Sequence, residues 1–232
     1  MNFRIASVIA AVSTGFFASH AMAATVVLDS FDDEQIAVDV PYPGTSSSST
    51  IAFGSGTRTL EAENTSGPSP VSATVLESVG GALRFSNKDE ATGRATLSYT
   101  ALGDISLGLN PYLYFDVGYF DNVANFSVSA TDGDGNVSTY TEVLSSGFSP
   151  TLFFSAFTGS ADFNDIALLS FTLDTTDVPG YGPVVSVDGS LNSILLGYDQ
   201  PAPIPLPATA VLLLAGVGGL GGLRALVRRK SA

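Results

Sequence analysis

Short runs of β-branched and aromatic residues recur through the central part of this 232-residue chain. Gly, Asn, Asp, Pro and Ser separate these runs, and no apolar repeat near 3.6 residues is sustained, so the pattern favours strands over helices. It predicts strands at residues 25–29, 36–40, 58–62, 71–77, 82–86, 94–100, 112–118, 125–130, 137–143, 151–156, 167–173, 184–187 and 193–196. Loops are predicted at residues 41–50 and 64–70. Short strands at this spacing are typical of an antiparallel arrangement, so we predict an all-β fold with a single β-sandwich domain over residues 24–199.

The first 23 residues have the layout of a secretory signal peptide. Arg4 supplies a positive start, residues 5–17 form an apolar core, and small residues occupy the positions that signal peptidase requires. We predict cleavage between Ala23 and Ala24. A retained membrane anchor is the alternative, but the apolar run is too short to span about 30 Å of hydrocarbon.

The C-terminal end of the chain has the layout of a membrane anchor. Residues 200–207 form a proline-rich spacer, residues 208–223 carry no charge, and Arg224, Arg228, Arg229 and Lys230 follow. A helix over residues 208–227 would be about 30 Å long, which is enough to span the membrane if Arg224 reaches the interface. The positive-inside rule would keep the basic tail, residues 228–232, in the cytoplasm and the body outside.

The same segment resembles a family of sorting signals. A proline motif, a Gly/Leu-rich apolar helix and a basic end occur in that order, and the motif consists of Ile204, Pro205, Leu206, Pro207 and Ala208. This order resembles the PEP-CTERM signal in its VPLPA variant, with Ile204 in place of valine. The resemblance implies processing by an exosortase, export, and delivery from the cytoplasmic membrane to the cell surface or an extracellular polysaccharide matrix. A sortase-type wall-anchoring signal and a permanent tail anchor are the alternatives.

Composition narrows the chemistry that the body can perform. The formal net charge is −13, and all 22 acidic residues lie between the two end segments. A body with this charge is a poor partner for nucleic acid. It has neither Cys nor His, because the single His is His20, and so lacks the usual groups for nucleophilic catalysis and for zinc, copper or haem. We predict that the protein is not an enzyme, with a carboxylate-pair glycosidase as the remaining enzymatic alternative.

The body also resembles a known fold family. The resemblance is carried by residues 29–32 near the mature start, residues 95–99, the loop and strand over residues 157–173, and the closing segment that includes Val187, Asp188, Ser193 and Ile194. These segments resemble galactose-binding-like jelly-roll domains, many of which are carbohydrate-binding modules. The resemblance implies a jelly-roll fold.

Calcium is the cofactor that an oxygen-rich body could bind, since calcium prefers carboxylate and carbonyl ligands. Asp132, Asp134 and Asn136 have the spacing that begins a calcium loop, but a β-hairpin turn explains the same residues. By analogy with jelly-roll modules, Asp29 and Asp32 (or Asp33) could meet Asp188 at a structural calcium site where the first and last strands join.

One predicted strand carries a candidate carbohydrate site. In residues 112–117, Leu113, Phe115 and Val117 are expected to face the core, which leaves Tyr112, Tyr114 and Asp116 on the opposite face. Two tyrosine rings beside an acid could stack on a sugar, although a cross-strand aromatic pair is the simpler reading. Our main prediction is a secreted, non-enzymatic surface or matrix protein. The alternatives are a carbohydrate-binding module of the cell surface or exopolysaccharide and, second, a sortase-anchored wall protein.

Overall fold

The computed structural model describes residues 23–39, 46–66, 73–88, 90–147 and 149–199. These residues confirm the predicted all-β sandwich. They form two antiparallel sheets, each of seven strands. Sheet A consists of β1 (Ala23–Asp29), β2 (Gln35–Asp39), β5 (Ala73–Ser78), β6 (Leu83–Lys88), β8 (Leu109–Phe120), β11 (Thr151–Phe153) and β14 (Asp188–Asp199). Sheet B consists of β3 (Ser47–Phe53), β4 (Gly56–Ser66), β7 (Thr92–Gly103), β9 (Ala124–Asp132), β10 (Val137–Leu144), β12 (Thr158–Gly159) and β13 (Ile166–Asp174).

The long last strand organises sheet A, whose main order is β11-β8-β14-β6-β5-β2. One edge of β14 pairs with β8 along nearly its whole length. Its other edge pairs with β6 near its start and with β1 near its end. Sheet B has the order β12-β10-β9-β13-β7-β4-β3. The first and last described strands therefore lie side by side, and Ala23, the first described residue, pairs with Asp199, the last.

The hydrophobic core lies between the two sheets, and strands such as β7 and β9 alternate buried with partly exposed side chains. Phe115 of sheet A contacts Phe126 and Phe171 of sheet B edge to face, with ring centroids 5.1 and 5.2 Å apart. Edge-to-face aromatic pairs contribute about 0.5–1.5 kcal/mol beyond their buried area. These three rings join the sheets near the middle of the sandwich.

The outer face of sheet B carries a row of hydroxyl side chains. Registered strand pairs align six hydroxyl side chains in one row, namely Thr139, Ser129, Ser170, Ser98, Thr59 and Thr50. Neighbours within the row hydrogen-bond to each other, with Ser98 Oγ 3.0 Å from Ser170 Oγ and Thr50 Oγ1 2.9 Å from Thr59 Oγ1. Such pairs stabilise the sheet, and this row contains no aromatic ring.

Four of the predicted elements differ from the structure. The predicted loop at residues 64–70 overlaps the end of β4, and Phe154–Ala156, in the predicted strand at residues 151–156, form a short 3-10 helix. The predicted loop at residues 41–50 overlaps β3, because its Ser/Thr run pairs with β4 as an edge strand. The predicted strand at residues 184–187 is an irregular segment, in which Ser186 has a φ of 52°. That left-handed conformation interrupts an extended strand. Val184 and Val187 are nevertheless buried in the core.

The predicted end segments lie almost wholly outside the described residues. Ala23 and Ala24, at the predicted cleavage site, begin β1 and pair with Asp199 and Tyr198. The rest of the signal peptide, the motif from Ile204 to Ala208 and the helix at residues 208–227 are not among the described residues. Within the described residues, no helix is long and apolar enough to cross a membrane.

Candidate functional site

Strand β8 places the predicted carbohydrate residues together on the outer face of sheet A. Leu113 and Phe115 are 0 % and 2 % exposed, whereas Tyr112, Tyr114 and Asp116 are partly exposed. Successive side chains of a strand point to opposite faces, so these three residues share the solvent side. Their placement agrees with the expected alternation, and sugar binding by them stays a prediction.

The ring of Tyr112 lies over the neighbouring strand. It covers Gly197 of β14, where a Cβ atom would sit only 2.1 Å from Tyr112 Cζ. On the other side of Tyr112, β11 contributes Phe153, whose ring centroid is 5.4 Å away. Phe153 is 44 % exposed. A glycine at position 197 therefore lets the tyrosine ring lie across the sheet, where it forms an aromatic surface with Phe153.

A polar end adjoins this aromatic surface. Asp116 pairs in register with Ser193 of β14, and the side-chain amide of Asn192 donates a hydrogen bond of 3.3 Å to Asp116 Oδ2. Carboxylate, amide and hydroxyl groups can donate to or accept from sugar hydroxyls. We name this surface the tyrosine face and define it by six residues: Tyr112, Tyr114, Asp116, Phe153, Asn192 and Ser193.

Sequence reasoning missed Phe153, Asn192 and Ser193 as members of the tyrosine face. Residues 151–156 and 193–196 were predicted as strands, but their position beside β8 depends on the order of strands in the sheet. Asn192 is an extra residue in β14, located where the register with β8 shifts. A single sequence carries no signal for such a pairing between distant segments.

The structure does not bring together the carboxylates that were expected to form a calcium site between the first and last strands. The two strands do pair, but Asp29 lies opposite Ile194. Asp188 pairs with Ser86 at the other end of β14, six residues away. At about 3.3 Å per residue this separation is about 20 Å, so Asp29 and Asp188 cannot share one ion. Asp32, on the exposed loop after β1, accepts a hydrogen bond of 2.6 Å from Ser30 Oγ.

Asp29 instead forms a buried ion pair with Arg58. Its carboxylate accepts hydrogen bonds from Arg58 Nη1, with the shorter at 2.9 Å, and from the Tyr99 hydroxyl at 2.5 Å. Arg58 and Asp29 are 1 % and 5 % exposed. Arg58 also donates to Gln35 Oε1 and to the Asp33 carbonyl oxygen. The guanidinium thus joins β1, β2 and β4 in the core, where the sequence alone suggested a calcium ligand.

The second predicted calcium loop is a β-hairpin turn, the alternative left open above. Asp132 Oδ1 accepts hydrogen bonds from the backbone N–H groups of Asp134 and Asn136 at 3.0 and 2.8 Å. Its Oδ2 accepts from the Asn136 side chain and from the Asp162 backbone, both at 2.9 Å. Led by the Asn136 side-chain bond, these contacts hold the pKa of Asp132 below its usual range. The carboxylate that would bind calcium is occupied in organising the turn.

In the part of the chain that the structure describes, no group of three or more acidic side chains is placed to hold a metal ion. A cavity of about 70 Å³ between the sheets is lined almost wholly by apolar side chains, including Phe85, Phe115 and Phe126. No carboxylate lines it, so it offers no acid–base chemistry. The tyrosine face, in contrast, is open to solvent and combines aromatic with polar side chains.

No protein-family model and no curated protein matches this chain. Among solved structures, it is similar to the family 11 carbohydrate-binding module of the cellulosomal cellulase Lic26A-Cel5E of Clostridium thermocellum. The identity is 13 %, the TM-score is 0.38, and the alignment covers 74 % of this chain and 94 % of that module.

Two further structures align over a smaller part of their own length. An exo-β-agarase shows 15 % identity and a TM-score of 0.41 over 77 % of this chain and 25 % of the agarase. The structure of PfGH50B shows 13 % identity and a TM-score of 0.39 over 55 % of this chain and 22 % of that protein. This chain therefore spans a quarter or less of the length of either protein.

Proposed function

We propose that this protein is an exported, non-enzymatic surface protein whose β-sandwich binds polysaccharide through the tyrosine face. The observation that carries the proposal is the partly exposed Tyr112 ring, which lies over Gly197 beside Phe153. An aromatic ring held across a sheet can cover the apolar face of a sugar, while neighbouring polar groups bind its hydroxyls.

The polar end of the tyrosine face supports the same ligand class. Asp116 and Asn192 already exchange a hydrogen bond, so both are oriented before a ligand arrives. Prior orientation lowers the entropic cost of binding. The body has 22 acidic residues, which disfavours polyanions held by charge and favours a neutral, hydroxyl-rich polymer.

Binding can be tested with the full-length protein in a detergent that has no sugar headgroup. Affinity electrophoresis and pull-down would be run against cellulose, agarose, xylan and mixed-linkage β-glucan. We expect binding to at least one polymer and a loss of about tenfold or more in Tyr112→Ala, since contacts at a binding centre contribute more than about 1.4 kcal/mol each. Tyr181→Ala is the matched control, because Tyr181 is 65 % exposed and lies in a loop outside the tyrosine face. Absence of binding to every polymer would refute the proposal.

We further propose that the two ends of the chain direct export and sorting. The support is the sequence itself: an apolar signal before Ala24, and a proline motif, apolar segment and basic end after residue 199. The intact mass of the native protein, measured separately in membranes and medium, would test this. A medium form that begins at Ala24 and ends near Pro207 is expected. Recovery only of a membrane form that retains residues 224–232 would exclude processing.

A further inference from the structure

A third tyrosine of β8 lies at the opposite end of the strand from Tyr112. Tyr119 is 53 % exposed. Strict alternation from Tyr112 and Tyr114 would place it in the core, because even-numbered positions of this strand face outward. The register shifts twice between these positions, with Gly118 as an extra residue in β8 and Asn192 as an extra residue in β14.

The first of these bulges returns Tyr119 to the outer face. Beyond it, Phe120 pairs with Gly189 and is 6 % exposed, with its ring over that glycine. Tyr119 pairs with Ser190, and neighbouring side chains along a strand point to opposite faces. Since Phe120 faces the core, Tyr119 faces solvent on the same side as the tyrosine face. Bulges commonly re-aim side chains in this way at binding sites.

A positively charged side chain lies in the same row as Tyr119. Ser190 pairs with Tyr119 on one side and with Arg84 of β6 on the other. Arg84 is exposed, and within the described residues the ion pairs with a separation of 4 Å or less involve only Arg58 and Arg94. An aromatic ring, a hydroxyl and a guanidinium therefore follow one another across three strands, spaced about 4.8 Å apart.

Polar side chains of β14 lie beside β8 between the two aromatic ends. Gly118 lies between them, and a Cβ atom there would sit 2.7 Å from Ser190 Oγ and 2.9 Å from Asn192 Oδ1. The glycine therefore allows the polar side chains of β14 to approach β8. Tyr112 pairs with Gly197 of β14 and Tyr119 pairs with Ser190, seven positions earlier in β14. One of these seven positions is the bulge at Asn192. The distance is about 20 Å, which is longer than a monosaccharide or a disaccharide.

We propose that Tyr119 and Arg84 form a second subsite of the tyrosine face, so that the preferred ligand is the interior of a linear polysaccharide lying along β8. This inference rests on the proposed function, and it adds the length and direction of the ligand. One sugar would stack near Tyr112 and another near Tyr119, with Asp116 and Asn192 binding hydroxyls between them.

The surroundings of Tyr119 favour a neutral chain. Partial burial, followed by the charges of Asp188 and Asp121, raises the pKa of Tyr119 above its ordinary value, and Arg84 opposes the shift. The nearby carboxylates of Asp188 and Asp121 disfavour an anionic polymer.

The test is the dependence of affinity on ligand length. The full-length protein, in the same sugar-free detergent, would be titrated calorimetrically with a disaccharide and a hexasaccharide prepared from the polymer that it binds. We expect the hexasaccharide to bind at least tenfold more tightly. Tyr119→Ala should weaken hexasaccharide binding about tenfold, the equivalent of about 1.4 kcal/mol, and leave disaccharide binding unchanged. Tyr112→Ala should weaken both.

Two further variants separate a lost contact from a lost fold. Tyr119→Phe keeps the ring and should retain hexasaccharide binding, and Tyr181→Ala should behave as the parent protein. Equal affinity for the two ligands, or a Tyr119→Ala variant that binds the hexasaccharide as tightly as the parent, would overturn the inference while leaving the proposed function intact. Failure of both oligosaccharides to bind, together with the parent polymer, would overturn both.

Discussion

Replacing Arg58 with methionine should destabilise this protein far more than the same replacement at an exposed arginine. Methionine keeps the unbranched apolar stem but removes the guanidinium. The substitution therefore deletes hydrogen bonds to Asp29, to the Gln35 side chain, to the Asp33 carbonyl oxygen and to Ser78. These partners lie on different strands and on the loop after β1, so the loss affects several elements at once.

The magnitude follows from burial. Without Arg58, the Asp29 carboxylate keeps its bonds from the Phe31 N–H and the Tyr99 hydroxyl. It loses its counter-ion, however, at a position where only 5 % of the residue is exposed. Removing one partner of a buried ion pair costs about 3–5 kcal/mol. For a domain of this size, each kcal/mol of lost stability lowers the midpoint temperature of thermal unfolding by about 2–4 °C. We therefore expect Arg58→Met to lower that temperature by about 6–20 °C.

Arg94→Met is the matched control. Arg94 also contacts two acidic residues, Glu63 at 3.1 Å and Asp174 at 2.9 Å, but its side chain is 44 % exposed. Exposed ion pairs contribute about 0–1 kcal/mol. Urea and thermal denaturation, followed by circular dichroism at neutral pH, would compare both variants with the parent.

A double-mutant cycle tests the proposed cause. Asp29→Asn removes the charge that Arg58→Met leaves unpaired, so the double variant should be less destabilised than the sum of the single variants by about 0.5–3 kcal/mol. The reasoning would be refuted if Arg58→Met cost no more than Arg94→Met, or if the Asp29 and Arg58 effects added without coupling.

Three further predictions test other parts of the structure. Gly197→Ala should weaken polysaccharide binding about tenfold although both tyrosines remain, because its Cβ would sit 2.1 Å from Tyr112 Cζ and displace the ring; a parent-like affinity in the electrophoretic assay would contradict this. Burial, followed by the charge and hydrogen bond of Asp29, raises the pKa of Tyr99 well above its ordinary value. An unfolded tyrosine ionises near about pH 10, whereas folded Tyr99 ionises at a higher pH. The contribution of Tyr99 to the free energy of unfolding should therefore be complete below about pH 10 and decrease as the pH rises further. Alkaline denaturation would measure this decrease, which should be shallower in Tyr99→Phe. Burial also raises the pKa of Glu142 despite its bond from Tyr140, and its Oε1 is buried without a hydrogen-bond partner among the described residues. Glu142→Gln should therefore raise the free energy of unfolding by up to about 1 kcal/mol at neutral pH. The gain should be smaller below about pH 4, where the carboxyl is protonated in both the folded and the unfolded state. Urea titrations at the two pH values would contradict this if the variant were no more stable than the parent at neutral pH.

Local patterns in the sequence determined most of the sandwich. The alternation in residues 112–117 predicted correctly that Leu113 and Phe115 face the core while Tyr112 and Tyr114 face solvent. Side-chain direction in a regular strand depends only on neighbouring positions, so a single sequence carries that information. The same alternation in β4 indicates that Arg58 is buried, because Arg58 lies on the same face of the strand as Leu60 and Ala62.

Pairing between distant strands decided the rest. The register of β1 on β14 separates Asp29 from Asp188, and the stacking of two sheets brings Asp29 to Arg58. The bulge at Gly118 places Tyr119 on the same face of the sheet as Tyr112, which alternation alone would not predict. Register and bulges arise from the packing of whole sheets, because a shift of one residue exchanges the buried and exposed faces of a strand. The sequence by itself therefore determined the class of fold and the direction of side chains within regular strands, and the tertiary structure decided which distant side chains lie together.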